Sequence, residues 1–138
     1  MREILFRGKR KDNGEWVYGW LIIGYDHRYY IVSYTDVNCL RGRNKPYATW
    51  RSIEVIPATV GQYTGLTANG KKIFEGDILY DDYNEDNCLI VFQEGGFDIV
   101  EDNICWHCQD CNMSDFEVIG TIHDNPELLK GGVENDLE

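Results

Sequence analysis

The 138-residue sequence lacks a long apolar run and any familiar catalytic motif. No stretch approaches the roughly 18 apolar residues that a membrane-spanning helix needs, and the start of the chain has no continuous apolar signal segment. We therefore expect a cytoplasmic protein without a membrane partner. The chain also has no Gly-x-Ser-x-Gly, His-Glu-x-x-His or Walker motif, so the sequence favours a non-enzymatic role.

The cysteine content argues against a disulfide framework. Five cysteines, at positions 39, 88, 105, 108 and 111, are an odd number in a chain with no export signal, so free thiols or a metal site are the remaining interpretations. Three of them are spaced by two residues with a histidine between them. The candidate zinc ligands are Cys105, His107, Cys108 and Cys111, and His123 is an alternative fourth ligand.

The same segment lacks parts that common metal motifs need. An iron–sulfur run would place a cysteine at position 115, where the chain has Asp115. A structural zinc site more often combines two separated Cys-x-x-Cys pairs, whereas Cys39 and Cys88 each stand alone. The sequence therefore favours free thiols and no cofactor, with zinc as the alternative.

Basic residues are almost absent from the second half of the chain. Residues 73–138 hold one basic residue against eighteen acidic ones, whereas residues 1–72 hold twelve basic and six acidic residues. The two parts carry about −17 and +6, which together give the net charge of −11. The uneven charge distribution is explained if the two halves pack together and their electric fields partly cancel. A basic partner for the acidic half, or an anionic partner for the basic half, is also consistent with it.

Turn signals between aromatic and β-branched runs predict a mainly β protein. The turn at 12–14 separates two strand patterns and predicts a hairpin, and Asn69-Gly70 predicts a second one. Gly76 interrupts a strand pattern, so we expect a bulge or bend there. Asn125 and Pro126 predict the start of a short helix. Further strands are predicted at 29–34, 52–56, 59–64, 88–92, 97–100 and 116–122, and residues 81–87 are predicted to form a solvated loop.

Residues 36–52 have neither helical nor strand periodicity and predict a long loop. This loop carries the basic residues Arg41, Arg43 and Lys45, and a second basic cluster at 7–11 lies near several aromatic residues. Positive charge beside stacking surfaces is what single-stranded nucleic-acid binding uses. The net charge of −11 opposes phosphate binding, so nucleic-acid binding through the basic N-terminal half is the alternative function.

Three segments together resemble the YopX family of phage and prophage proteins. The opening is MREILFRG with GEWVYG at 14–19, the middle is VGQYTGLTANGKKIFEGDI at 60–78, and the close is VIGTIHDNPELL at 118–129. They follow one another in order over nearly the whole chain. The resemblance implies a bacterial or phage origin and a small SH3-like β-barrel or roll, and it implies no particular activity.

The strand pattern and the resemblance together predict three parts. Residues 1–57 form an N-terminal β-rich part, residues 58–130 contain the SH3-like barrel with a short C-terminal helix, and residues 131–138 form a tail. We interpret the last two residues, Leu137 and Glu138, as a vector-derived addition and leave them out of the functional argument.

We predict a non-enzymatic protein-binding or adaptor module whose partner is a host or phage protein. Gln62 and Tyr63 are candidate binding residues, because an exposed tyrosine beside a hydrogen-bonding side chain suits protein recognition. The alternative is that this segment is scaffold, and exposure of Tyr63 separates the two interpretations. The basic loop with Arg41, Arg43 and Lys45 is the second candidate surface. A homo-oligomer is left open, because strand edges can pair.

Overall fold

The computed structural model describes residues 3–35, 49–102 and 104–129. It divides the chain into two compact units with the boundary between Gln62 and Tyr63, whereas the sequence predicted a boundary between residues 57 and 58. Both units consist of antiparallel strands, which confirms the mainly β prediction. In the described ranges, no helix has the length and apolarity that a membrane crossing requires. The helical segments there are three-residue 3-10 turns: Pro57–Thr59, Cys108–Asp110, Met113–Asp115 and Pro126–Leu128.

The first unit is an antiparallel sheet in the order β4-β3-β2-β1. Its strands are β1 (Phe6–Lys9), β2 (Trp16–Ile23), β3 (Tyr29–Thr35) and β4 (Thr49–Val55). The predicted first hairpin is confirmed, because β1 pairs with β2 across a turn in which Gly14 has a φ of 77°. Ile31 and Val55 are fully buried and form the centre of this unit.

Strand β5 (Gly61–Ala68) begins in the first unit, where Gly61 and Gln62 pair with β1, and continues into the second. There it forms a hairpin with β6 (Lys71–Phe74), and the predicted turn is confirmed by φ values of 53° at Asn69 and 82° at Gly70. The predicted bend at Gly76 is also confirmed, since this residue separates β6 from the next strand and has a φ of 94°.

The second unit contains a five-stranded antiparallel sheet in the order β10-β9-β8-β7-β11. Because side chains alternate along a strand, one face carries the buried residues Leu79, Cys88, Ile90 and Ile99, which pack with Phe116 and Cys108 into the core of this unit. The strands are β7 (Asp77–Asp81), β8 (Asp86–Gln93), β9 (Gly96–Glu101), β10 (Ile104–His107) and β11 (Phe116–Thr121).

Two expectations about the second unit need correction. The described strands do not close into a barrel, because β10 and β11 are the two ends of the sheet and do not pair with each other; the SH3-like barrel is therefore not confirmed. The predicted C-terminal helix is the single 3-10 turn Pro126–Leu128. Asn125 does not cap it, because the Asn125 side-chain oxygen accepts a hydrogen bond from the backbone N–H of Thr121 instead.

Candidate functional site

The cysteine-rich segment forms an edge strand and two 3-10 turns, and this separates its candidate metal ligands. Cys105 and His107 are two residues apart on β10 and share the outer face of the sheet with Asp98 of β9. Trp106 lies between them in the chain and faces the core side, against which it packs. The 3-10 turn that follows buries Cys108 in the core, where 3% of it is exposed, and leaves Cys111 partly buried.

Asp98 organises the polar side chains on the outer face. Its carboxylate accepts hydrogen bonds from Gln93 Nε2 at 2.9 Å and lies 2.8 Å from Nδ1 of His107. These two bonds lower the pKa of the buried Asp98 carboxyl, and the bond with Asp98 raises the pKa of His107. His107 remains exposed over most of its side chain, so this pair is an ordered charge-assisted contact at the surface.

The thiols differ in their surroundings. Exposed Cys105 accepts a hydrogen bond from Gln93 Nε2 at 3.0 Å. Burial, and next the neighbouring Cys111, raises the pKa of Cys108 to about 12, and burial also raises the pKa of Cys111. In the part of the chain that the structure describes, no three His, Cys, Asp or Glu side chains are arranged to hold a metal ion. Zinc binding by this segment stays a prediction.

The predicted binding residues Gln62 and Tyr63 have little exposed surface. Tyr63 is 7% exposed and packs against Phe74 with 5.6 Å between the ring centroids, which favours the scaffold interpretation over the binding interpretation. Gln62 is half-buried and pairs with Phe6 in the first unit. A binding role for Gln62 and Tyr63 stays a prediction. Arg41, Arg43 and Lys45 lie outside the described residues.

The second unit contains an open groove of about 370 Å³, which we call the acidic groove. Three aromatic residues line it: Tyr83, Trp106 and Phe116. Three carboxylates also line it: Asp81, Asp110 and Asp115. Its remaining lining residues are Asn84, Cys111 and Asn112.

Hydrogen bonds within the second unit fix the walls of the groove. The Asp81 carboxylate accepts the backbone N–H groups of Tyr83 and Asn84 at 3.0 and 3.2 Å, and it accepts Asn84 Nδ2 at 2.7 Å. This local pattern closes the turn after β7 and is typical of an Asx turn. On the opposite wall, the side chain of Asn112 accepts the backbone N–H of Ser114 at 3.1 Å and so caps a 3-10 turn.

The groove lies in a strongly anionic environment. Among residues 63–129 the basic residues are Lys71 and Lys72, and the Lys72 ammonium lies over the Tyr63 ring, 5.6 Å from its centroid. No described ion pair reaches the three carboxylates that line the groove. A cation entering the groove would therefore meet three carboxylates that take part in no described ion pair, although the charge of Asp110 also acts on His107.

Glu101 adds a buried carboxyl group close to Asp81. The two residues are 6% and 3% exposed, and side-chain alternation places both on the core face of the sheet. Burial first, and then the charge and hydrogen bond of Asp81, raises the pKa of Glu101 to about 7. In the described structure Glu101 Oε1 is buried and has no hydrogen-bond partner. Glu101 therefore ionises at a higher pH than an unperturbed glutamate, close to neutral pH.

Sequence reasoning did not find this groove. Residues 81–87 were interpreted as a solvated loop, and Trp106 was assigned no role. The available signal was an aromatic residue in each of three acidic segments: Tyr83, Trp106 and Phe116. Their convergence depends on how β7, β10 and β11 lie in the sheet, which the sequence pattern did not specify.

The comparison with protein-family models finds one described as "YopX protein", which matches residues 5–130. No curated protein matches the chain. The matched range contains most of the segments on which the sequence resemblance rested, together with both described units and the whole acidic groove. Because the match extends over most of its length, the chain belongs to the YopX family.

Proposed function

We propose that the protein is a non-enzymatic protein-binding or adaptor module that holds its partner in the acidic groove. The groove itself carries this proposal, since about 370 Å³ of open space lies between three aromatic and three acidic side chains. Aromatic residues in a well-packed pocket supply much of the binding energy of protein interfaces. A polar rim around such a centre is the usual arrangement of protein recognition surfaces.

The aromatic side chains of the groove differ in exposure in a way that suits binding. Phe116 is 7% exposed and Trp106 is half-buried, whereas Tyr83 is 82% exposed at the rim. A partner would therefore cover a large apolar surface at Tyr83 and rest on rings that are already held in place. The hydrogen bonds of Asp81 fix the turn that carries Tyr83, so less conformational entropy is lost on binding.

The proposal includes a biological setting. We propose a phage or prophage origin, a host or phage protein as the partner and a cytoplasmic location, and the family membership is consistent with this setting. We also keep an SH3-like arrangement for residues 58–125 as part of the proposal. The five antiparallel strands of the second unit support it, because a curled antiparallel sheet is the basis of such barrels.

Affinity capture with a charge-reversed groove tests the function. The double variant Asp110→Lys, Asp115→Lys changes two exposed groove carboxylates, and Glu117→Lys reverses an exposed charge of β11 that is not part of the groove. We expect wild type and Glu117→Lys to retain the same protein from nuclease-treated bacterial lysate, and the double variant to lose it. Equal capture by all three folded proteins, checked by circular dichroism, would contradict the proposal.

A second candidate function is nucleic-acid binding by the first unit. Tyr18 and Trp20 lie on one face of β2 and are 47% and 52% exposed. On the neighbouring strand, the Lys9 ammonium lies 5.5 Å from the ring centroid of Trp16, and the Arg7 guanidinium, which is buried, lies 4.6 Å from the same centroid. Stacking surfaces beside cations are the elements of single-stranded nucleic-acid binding.

Fluorescence titration with a single-stranded oligonucleotide tests this second candidate. We expect Trp20→Ala to weaken binding at least about fivefold, since stacking contributes about 1–3 kcal/mol per base. The double variant of the acidic groove is the control and should bind the oligonucleotide no more weakly than wild type. Binding that is unchanged in Trp20→Ala would exclude this face as the nucleic-acid surface.

A further inference from the structure

We propose that the acidic groove receives one arginine side chain of the protein partner and that this binding displaces the proton held by Glu101. The inference rests on the proposed function, because it names the group that the groove recognises. It adds a second element, a link between partner binding and the ionisation of Glu101, a buried carboxyl group on which the groove residue Asp81 acts.

The aromatic walls favour a flat cation. The groove is lined by Tyr83, Trp106 and Phe116, whose π faces attract cations within about 6 Å of the ring centroid. A guanidinium group is planar, stacks on aromatic rings and is more weakly hydrated than an ammonium group. Arginine therefore gains more from these walls than lysine does.

The carboxylates supply the complementary charge. Asp110 and Asp115 are exposed and line the groove, and Asp81 lines it from a buried position. Residues 63–129 contain fifteen Asp and Glu against two Lys. A guanidinium group can donate two parallel hydrogen bonds to one carboxylate, which gives geometric selectivity as well as attraction. The groove therefore offers an arginine both stacking and ion pairing.

Glu101 provides an observation that is independent of the groove lining. Its side chain is 94% buried, since 6% is exposed, and its Oε1 atom has no hydrogen-bond partner in the described structure. The groups that act on it are Asp81 on β7, Asp86 on β8 and Asp102 after β9, and all of them are acidic. Burial first, and then the charge of Glu101, raises the pKa of the Cys88 thiol on β8.

A cation beside Asp81 opposes the effect of the acidic neighbours on the ionisation of Glu101. With an arginine in the groove, the field at Glu101 becomes less negative, and the ionised carboxylate is favoured over the protonated carboxyl. The proton leaves Glu101 for solvent as the guanidinium binds. By linkage, a ligand whose binding releases a proton binds more tightly as pH rises. The groove should therefore bind arginine more tightly at pH 8 than at pH 6.

A matched pair of peptides tests the inference. The probes are acetyl-Gly-Gly-Arg-Gly-Gly-amide and the same peptide with citrulline, a neutral isostere of arginine, and the readout is the NMR signal of the Trp106 indole N–H. We expect the arginine peptide to bind at least tenfold more tightly than the citrulline peptide, and several-fold more tightly at pH 8 than at pH 6. A lysine peptide should bind more weakly than the arginine peptide.

Two variants separate the parts of the inference. Asp115→Asn should weaken binding of the arginine peptide several-fold. The control Glu117→Gln, two residues further along the chain in β11 and not part of the groove, should not weaken it. Glu101→Gln should bind the arginine peptide at pH 8 about as weakly as wild type does at low pH, and so lose the difference between pH 6 and pH 8. A pH dependence that persists in Glu101→Gln would overturn the proposed proton release.

Failure of this inference can be distinguished from failure of the proposed function. If the groove captures a protein from lysate but the arginine and citrulline peptides bind equally or not at all, the inference is wrong and the proposed function stands. If groove reversal leaves capture unchanged, the proposed function is wrong, and the inference falls with it. Tight binding of the lysine peptide alone would replace arginine by lysine as the recognised group and would overturn the inference as stated.

Discussion

Replacing Glu101 by glutamine should stabilise the protein at neutral and alkaline pH. The buried Glu101 carboxyl has a pKa of about 7, compared with 4.5 in an unperturbed chain, because burial and the neighbouring Asp81 both oppose its ionisation. Glutamine cannot ionise, and its amide can donate to Asp81 as the protonated carboxyl does. The variant therefore stays neutral and can donate a hydrogen bond to Asp81 at every pH.

The direction and size of the effect follow from proton linkage. As pH rises from 4.5 to 7, the unfolded chain loses the Glu101 proton while the folded chain retains it, so the free energy of unfolding decreases through this window. The full loss is reached above pH 7 and is about 3 kcal/mol for a pKa that moves from 4.5 to about 7. At pH 5.5 the same relation gives about 1 kcal/mol.

Urea unfolding of wild type and Glu101→Gln at pH 5.5 and pH 8.5 measures this effect. The stability advantage of the variant should grow by about 2 kcal/mol between the two pH values. Glu117→Gln, which changes an exposed carboxylate, should show no such growth. An advantage that is the same at both pH values would refute the reasoning, because it would mean that Glu101 ionises as readily in the folded chain as in the unfolded one.

Three further changes have outcomes that the structure specifies. Gly19→Ala should destabilise the protein by more than about 2 kcal/mol in urea unfolding, because the new Cβ would lie 2.1 Å from a backbone oxygen of β3. In the control Gly96→Ala the new Cβ meets no atom within 4 Å, so this variant should cost about 1 kcal/mol or less. Asp98→Asn should lower the pKa of His107 towards its ordinary value, which an NMR pH titration of the imidazole ring measures, because the bond between the two side chains is what raises that pKa. Asn84→Ala should cost about 1–2 kcal/mol and weaken partner capture, because it removes a 2.7 Å hydrogen bond to the buried carboxylate at the end of β7.

Local turn chemistry made much of the strand arrangement predictable. Glycine readily adopts the positive φ values that tight hairpins need, so the turns at Asn13-Gly14 and Asn69-Gly70 could be located from sequence. Gly14, Asn69 and Gly70 all have positive φ. Gly76 was predicted as a bend for the same reason, and its φ of 94° is one that other residues rarely adopt. These features depend on neighbours in the chain, which is why a single sequence was sufficient to find them.

Features that depend on distant residues were not predictable. Strand β10 was missed because three of its four residues are exposed and only Trp106 is partly buried, so the segment has no clear apolar pattern. The helix predicted at Asn125 is a 3-10 turn in the structure. The Asn125 side chain accepts a hydrogen bond from the backbone N–H of Thr121 and so does not cap a helix start. Closure of the sheet was predicted from the strand pattern together with a resemblance, and among the described strands β10 and β11 do not pair.

The candidate site illustrates the same difference. The candidate zinc ligands were chosen by spacing, but strand alternation puts Cys105 and His107 on the face opposite Trp106, while Cys108 enters the core. The burial of Tyr63 similarly follows from its packing against a neighbouring strand. Spacing along the chain identifies reactive residue types, whereas the arrangement of strands decides which of them come together.

Site-specific photo-crosslinking tests most directly whether the acidic groove is a protein-binding surface. A benzophenone amino acid would replace Tyr83, which lines the groove and is 82% exposed, and in a second protein it would replace Tyr25, which is fully exposed in the first unit. We expect irradiation in bacterial cells to give a discrete protein adduct from position 83 and none from position 25. Adducts from position 25 alone, or the same adducts from both positions, would contradict the central claim.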